Sequence, residues 1–199
     1  MEKLDLLKAI AEKAYDVGFG AKKHFATYDI IEKAPGLISF SSMAFGIFAL
    51  AIKDLSTEIM SATFIVLGVV GIYISLHDHK KVAYEEAGVA LTRLYNELKA
   101  LYLKVKSLDD ASDISPFQED LAAIEDRYYP VGITKQVLFS NWYAHYKFFW
   151  EHQIGWVNEQ LKFGFFRDKV PLSLWVMIFI VVAACCIWFF DLVSYMCSS

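Results

Sequence analysis

The stretch Gly71–Val105, "GIYISLHDHKKVAYEEAGVALTRLYNELKALYLKV", changes character at its middle. Before His77 it is apolar. After Lys81 it is charged, with Leu and Ala at regular intervals. His77-Asp78-His79-Lys80-Lys81 separates the halves. In the second half Ala87, Leu91, Leu94, Leu98, Leu101 and Val105 recur at heptad spacing, the a/d seam of a coiled coil. From Tyr73 to Lys106 only Gly88 interrupts, and there is no proline. The simplest reading is one continuous helix that leaves a membrane and enters water. At about 1.5 Å per residue it would extend about 70 Å from the preceding apolar block. The junction is then an interfacial collar, with Lys80 and Lys81 reaching toward headgroups. A metal site on His77 and His79 is the competing reading. Helical residues two apart point away from each other, which argues against it.

Working outward, the apolar residues come in blocks. Overall 56% of the 199 residues are hydrophobic, and the mean hydropathy is +0.36. Soluble domains lie nearer 45–50%. One block runs from Gly36 to Ile52, a second from Ile59 to Leu76, and a third from Val170 to Tyr195, interrupted by Asp191. A bilayer core needs about 20 helical residues, with a range of about 17–25. The first two blocks are joined by residues 53–58 and read as a transmembrane hairpin. The third is long enough to span alone. About 35 residues rich in both Glu and Lys precede the first block, which excludes a signal peptide. The net charge of -4 does not suggest nucleic acid as a direct partner.

Orientation follows from the basic residues. Lys3, Lys8, Lys13, Lys22, Lys23 and Lys33 precede the hairpin, and Lys53 is alone in its loop. The segment from His77 to Lys169 holds the remaining twelve of 19. Positive charge stays inside. The N-terminus and central segment are expected in the cytoplasm, with the hairpin loop and C-terminus outside an inner membrane. Four regions result: an amphipathic helix in 1–35, the hairpin in 36–76, a helical domain in 77–169 and a third span in 170–195. The class is an all-α membrane protein.

The other helices follow from spacing and caps. Leu4, Leu7, Ile10, Ala11, Ala14, Val17 and Ala21 form one stripe, expected to pack on the central domain. "SLDDASDISP" ends the heptad helix. Ser115 as N-cap and Pro116 at N1 start a short helix that Pro130 and Gly132 stop. A long helix is predicted from Thr134 to about Lys162. It carries Phe139, Trp142, Tyr143, Tyr146, Phe149, Trp150 and Trp156, read as core or interfacial belt. His145 and His152, seven apart, would share a face of it as an interfacial pair.

Motifs for chemistry are missing from the sequence. It has no Gly-rich phosphate loop, GxSxG, HExxH, CxxC or Glu-x-x-His motif. No enzymatic activity, metal or cofactor is expected. Cys185 and Cys186 lie in the third apolar block, and Cys197 is expected outside and unpaired.

"AKKHFATYDIIEKAPGLISF" (Ala21–Phe40), the hairpin, the "A..L..LY..LK" helix and the Tyr-Pro end of the short helix resemble a SLATT domain, the SMODS and SLOG-associating two-transmembrane effector. The resemblance covers about Ala21 to Tyr129. The third span departs from the family's two-span core. The resemblance implies a bacterial antiphage effector. A sensor enzyme encoded nearby makes a nucleotide second messenger, or a sensor protein detects infection. The resemblance further implies that the effector then oligomerises and permeabilises the inner membrane. The residues are compatible with that. Ser39, Ser41, Ser42, Ser61, Thr63 and Ser75 give the hairpin mild polarity. The pairs Ser42 with Gly46 and Gly68 with Gly71 permit close helix approach. Leu91, Leu94, Leu98 and Leu101 offer a seam for a homo-oligomer. The same features also serve packing within one chain. The alternative is a membrane scaffold that docks a partner through its aromatic helix. Neighbouring genes discriminate the two: a nucleotide cyclase or reverse transcriptase favours the effector.

Overall fold

A computed structural model describes residues 2–52 and 57–198, with side chains through residue 187. The described residues form helices and turns without strands. Residues 1–161 make one compact unit and 162–199 another.

In the first unit the longest element is α1, Lys3–Ala51, 49 residues without a break. Its start is fixed by a capping box between Glu2 and Asp5. At about 1.5 Å per residue it spans about 73 Å. Its first half buries Leu6, Leu7, Ile10, Ala14, Val17 and Ala21. Leu4, predicted on this stripe, is instead 69% exposed. Its turn lies level with the end of the partner helix, where Lys3 Nζ donates to the Leu108 carbonyl at 2.5 Å. Pro35 sits inside α1 where the polar half meets the apolar half. It has no N–H, so the Ile31 carbonyl has no helical donor there.

Helix α2 is Glu58–Ser75, capped by Thr57, whose hydroxyl accepts the Met60 N–H at 3.3 Å. Helix α3 is Lys81–Lys106. The two are not the single α-helix expected. A 3-10 turn, Asp78–Lys80, separates them. Here His77 N donates to Ile74 O at 2.9 Å and Lys80 N to His77 O at 3.0 Å. The His77 and His79 rings place Nδ1 on the Tyr73 and Leu76 carbonyls at 3.1 and 3.0 Å. Side chains that bond nearby backbone disrupt the α pattern in this way. Glu58–Lys106 still runs alongside α1 for its whole length, with this one turn departing from α geometry.

Helices α1 and α3 pack antiparallel, the most extensive contact in the fold. Lys3 meets Leu108, Gly20 faces Leu91, Gly88 faces Phe25, and Glu32 meets Lys81. At Gly18 and Gly88 a Cβ would come within 2.8 and 3.0 Å of the Tyr95 and Phe25 rings. Glycine is what lets α1, α3 and those rings approach. Tyr84, Leu91, Leu98, Tyr102 and Val105 are at most 1% exposed.

Helix α4, Ser115–Tyr128, lies on α3. Its N-cap is Ile114, one residue before the expected Ser115, and Asp113 accepts the Ser115 N–H at 3.0 Å. The long helix predicted over 134–162 is replaced by two short ones. Helix α5 is Ser140–Phe149 and α6 is Gly155–Leu161. Residues 132–139 before them form a non-helical strap. It ends at Phe139, whose φ of 67° is left-handed. Such a backbone costs an L-residue roughly 1–2 kcal/mol. Gly155 starts α6 after a turn in which Ile154 N donates to His152 O at 3.0 Å.

In the second unit a π-helical turn, Phe165–Lys169, precedes α7, Leu172–Ser198. Asp168 accepts the Gly164 N–H at 2.8 Å, and Trp175 donates to the Phe166 carbonyl at 3.2 Å. Among the described residues, α1 and the stretch Glu58–Lys106 are long and apolar enough to cross a membrane.

Candidate functional site

The helical bundle meets the apolar hairpin at a buried polar cluster. His24 on α1 is 4% exposed. Its Nδ1 lies 2.7 Å from the Gly20 carbonyl and so carries the proton. Its Nε2 is thereby left as an acceptor, and it receives the Ile133 N–H of the strap at 3.0 Å. Gln136 donates to the Ile133 carbonyl at 2.7 Å and accepts the buried Thr27 hydroxyl. Tyr84 donates to the Lys135 carbonyl at 2.5 Å. The strap has no helix of its own, so these side chains satisfy its backbone.

Burial pushes the His24 pKa down; the Gly20 hydrogen bond opposes this and Lys23 reinforces it. Burial also lowers His145. His152 falls to about 4 through burial and the nearby Lys22 and Lys99. All three histidines are favoured neutral in the fold. The unfolded chain then binds more protons, so stability rises with pH in this range. It should be full above about pH 6.5, the ordinary histidine value. It should fall as pH drops from there toward about 4, where His152 titrates. Lysines hold the Asp29 and Glu159 carboxyls below their ordinary range, so their loss comes lower still. Thermal melts across this range should show the decline, and His152→Phe should flatten its lower part. A melting temperature that stays level from pH 7 to 4 would refute the neutral assignment.

Ion pairs ring the same level. Burial alone would raise the Asp29 carboxyl, but Lys147 at 2.6 Å and Lys33 at 2.8 Å outweigh it. Lys147 also stands 4.7 Å over the Tyr143 ring. Lys81 joins Glu32 at 2.5 Å and Asp78 at 3.5 Å. The middle of α1, at the foot of the hairpin, is thus tied to α5 through Asp29 and to α3 through Glu32.

Above the ion pairs, α1 and α2 touch along one side only. The Phe45 and Phe64 rings lie 4.5 Å apart. A Cβ on Gly71 would meet Ile38 at 3.7 Å, an ordinary contact. Gly46 and Gly68 face nothing within 4 Å. Of the glycines expected to bring the hairpin together, only Gly71 lies in its contact. Ser39, Ser61 and Thr63 are exposed and Ser42 is half-buried. Ser61 and Thr63 donate to the Thr57 and Ile59 carbonyls of their own helix, at 3.1 and 2.8 Å. An apolar groove of about 600 Å³ runs along the foot, with Leu138 and Phe139 of the strap at its end.

The heptad seam lies elsewhere. Leu91, Leu94, Leu98 and Leu101 are between 0 and 6% exposed within one chain, where α3 packs on α1 and α4. The seam expected to join copies is an internal packing face. His145 and His152 do not share a helix face, because α5 ends between them. Each meets an aromatic ring of the bundle: His145 lies 4.8 Å from Phe19 and His152 4.7 Å from Tyr95. Of the aromatic set, Phe149 is buried, Trp142, Tyr143 and Trp156 are half-buried, and Phe139, Tyr146 and Trp150 are exposed. Cys185 and Cys186 are exposed on α7. Residues 53–56 of the hairpin loop and the side chain of Cys197 lie outside the described residues.

Compared with protein families, residues 1–178 match the SMODS and SLOG-associating 2TM effector domain 6. The chain belongs to the SLATT family. Comparisons with curated proteins and with solved structures find no match. SLATT domains are two-transmembrane effectors of antiphage conflict systems. The SLATT match reaches well beyond Ala21–Tyr129, taking in the N-terminal half of α1, the strap, α5 and α6. The family is a two-transmembrane one, and two stretches here, in α1 and in Glu58–Lys106, are long and apolar enough to cross a membrane. Most of α7 lies past the end of the match.

Sequence reasoning missed the His24 cluster. The visible sign was position: His24 and Thr27 continue the spacing of Val17 and Ala21 on the buried stripe. Polar residues on a core stripe ask for buried partners.

Proposed function

We propose that this SLATT protein is a non-enzymatic effector of a bacterial antiphage system that oligomerises on activation and permeabilises the inner membrane. The observation that supports this is the uncovered hairpin. The apolar window of α1 is unburied within the chain. Two helices cannot enclose a water path, so permeation requires several hairpins together. Ser39, Ser42 and Gly46 share one face of α1, and Ser61 and Gly68 share one face of α2. Small faces of this kind let membrane helices approach closely. Gly46 and Gly68 are open for that use.

In this reading the bundle is cytoplasmic and residues 53–58 are outside. Helix α7 is a third span that places the C-terminus outside. It has 27 residues, against about 20 needed to cross. The trigger is a nucleotide messenger or a sensor protein encoded nearby. The hairpin carries no ring of charge, so little ion discrimination is expected.

A potential-sensitive dye and cell survival, followed after induction with the neighbouring sensor genes active, test the proposal. Loss of potential should precede death, and a chain ending at Asp168 should still produce it. Cell death with the potential intact would refute permeation. The scaffold reading would then lead, since Tyr146 and Trp150 present 53% and 62% exposed aromatic surface on and just after α5.

A further inference from the structure

We infer that the groove at the foot of the hairpin binds one anionic phospholipid, its acyl chain in the groove and its phosphate between Lys80 and Lys135. This rests on the hairpin lying in a membrane, not on permeation.

The groove has an apolar wall on each side. Ile30, Ala34 and Ile38 come from α1, and Val70, Tyr73 and Ile74 from α2. Leu138 and Phe139 close the end nearest the bundle. Its volume of about 600 Å³ lies within the roughly 300–1,000 Å³ usual for ligand sites. The lining offers almost no hydrogen-bonding group. A hydrocarbon fits it and a polar metabolite does not.

Its depth points to lipid. Ile30 to Ile38 brackets Lys33 and Pro35, where the polar half of α1 gives way to the apolar half. Tyr73 and Ile74 lie in the last turn of α2, one turn before His77. The groove therefore straddles the headgroup boundary. The strap adds to this. Leu138 and Phe139 are 60% and 53% exposed, and Phe139 holds a left-handed backbone. Unfavourable backbone persists where surrounding structure imposes it. Here the His24, Gln136 and Tyr84 bonds fix the strap just before the exposed pair.

Charge selects the headgroup. Lys33 and Lys147 share Asp29, and Lys81 is held by Glu32 and Asp78. Those two groups carry opposite single net charges and cancel. Near this level Lys80 and Lys135 have exposed side chains and, among the described residues, meet no carboxylate. They share one neighbourhood, because Tyr84, one turn after Lys80, bonds the Lys135 carbonyl at 2.5 Å. Bilayer tails are as apolar as the groove, so the chain alone gives little preference. Each lysine should favour an anionic headgroup about fivefold.

The test uses the full chain reconstituted in vesicles of phosphatidylcholine with a minor share of phosphatidylglycerol. Native mass spectrometry then reads the lipid retained. The protein should keep one phosphatidylglycerol in preference to phosphatidylcholine. The double variant Lys80→Ala/Lys135→Ala should weaken retention about 25-fold. Val70→Trp should fill the groove and abolish it, while Val66→Trp, on the exposed side of α2, should not. The lysine variant changes only exposed side chains, so it decides the matter even if Val70→Trp fails to fold. Equal retention of both lipids, or unchanged retention in the lysine variant, overturns the site. Copies cross-linked through Phe139 at the lipid's expense would make a second chain the occupant and also overturn it. Lipid retention with an intact membrane potential would sink permeation alone.

Discussion

Leu98→Asp is expected to unfold the helical bundle rather than to divide an assembly into smaller species. Leu98 is 0% exposed within the bundle, where α3 packs on α1 and α4. Its environment is apolar, and an aspartate there would have to be buried unpaired or neutralised. Losses of about 4–5 kcal/mol or more arise from such changes. Whole domains have only about 5–15 kcal/mol to lose. Circular dichroism and limited proteolysis of the solubilised protein should show a melted bundle. Leu103→Asp is the matched control. Leu103 is 53% exposed on the same helix, and substitutions at such places usually stay within about 0.5 kcal/mol. A Leu98→Asp protein that melts normally but has a smaller mass would return the seam to the space between copies.

Gly46→Leu combined with Gly68→Leu should have the opposite profile, with the fold intact and function lost. A Cβ at either glycine would have no neighbouring atom within 4 Å. Within a helix the change also gains roughly 0.8–1 kcal/mol of propensity per site. Expression and melting should therefore hold or improve. Between hairpins, each leucine would keep small faces from meeting. The expected result is that induced cells keep their membrane potential and survive in numbers orders of magnitude higher. Gly71→Leu is the informative contrast. Gly71 is buried and faces Ile38, so a leucine there should disturb the hairpin itself. Unchanged killing by the Gly46/Gly68 double variant would remove these faces from the mechanism.

What is legible in the sequence is whatever depends on one segment at a time. The apolar blocks, the heptad stripe and the Pro116 helix start need only periodicity and local chemistry. The choice of partner does not reduce to that. A stripe of Leu91, Leu94, Leu98 and Leu101 fits a second copy or another segment of the same chain equally well. The N-terminal stripe that covers it is just as legible, apart from Leu4, but nothing in either stripe names the other. The helix predicted over 134–162 fails for a related reason. Residues 132–139 are held non-helical by His24, Gln136 and Tyr84. Of these, His24 and Tyr84 are distant in the chain, and tertiary bonds override local propensity. At the His77–Lys80 junction the composition marks the place of a boundary. Only the backbone bonds from His77 N to Ile74 O and from Lys80 N to His77 O reveal the 3-10 step.

The unbroken course of α1 fixes its length in whole residues. An α-helix turns about 100° and advances about 1.5 Å with each residue. One residue inserted between Ile31 and Gly36 would leave Leu6 to Ile31 seated on α3 and swing Ile38 and Phe45 away from α2 by that angle. Compensation would require roughly seven residues, the nearest whole number of turns. The α2–α3 boundary should absorb such a change more readily, since its 3-10 step already departs from α-helical phase. Across evolutionary time, insertions and deletions should be tolerated on one arm of this hairpin and purged from the other.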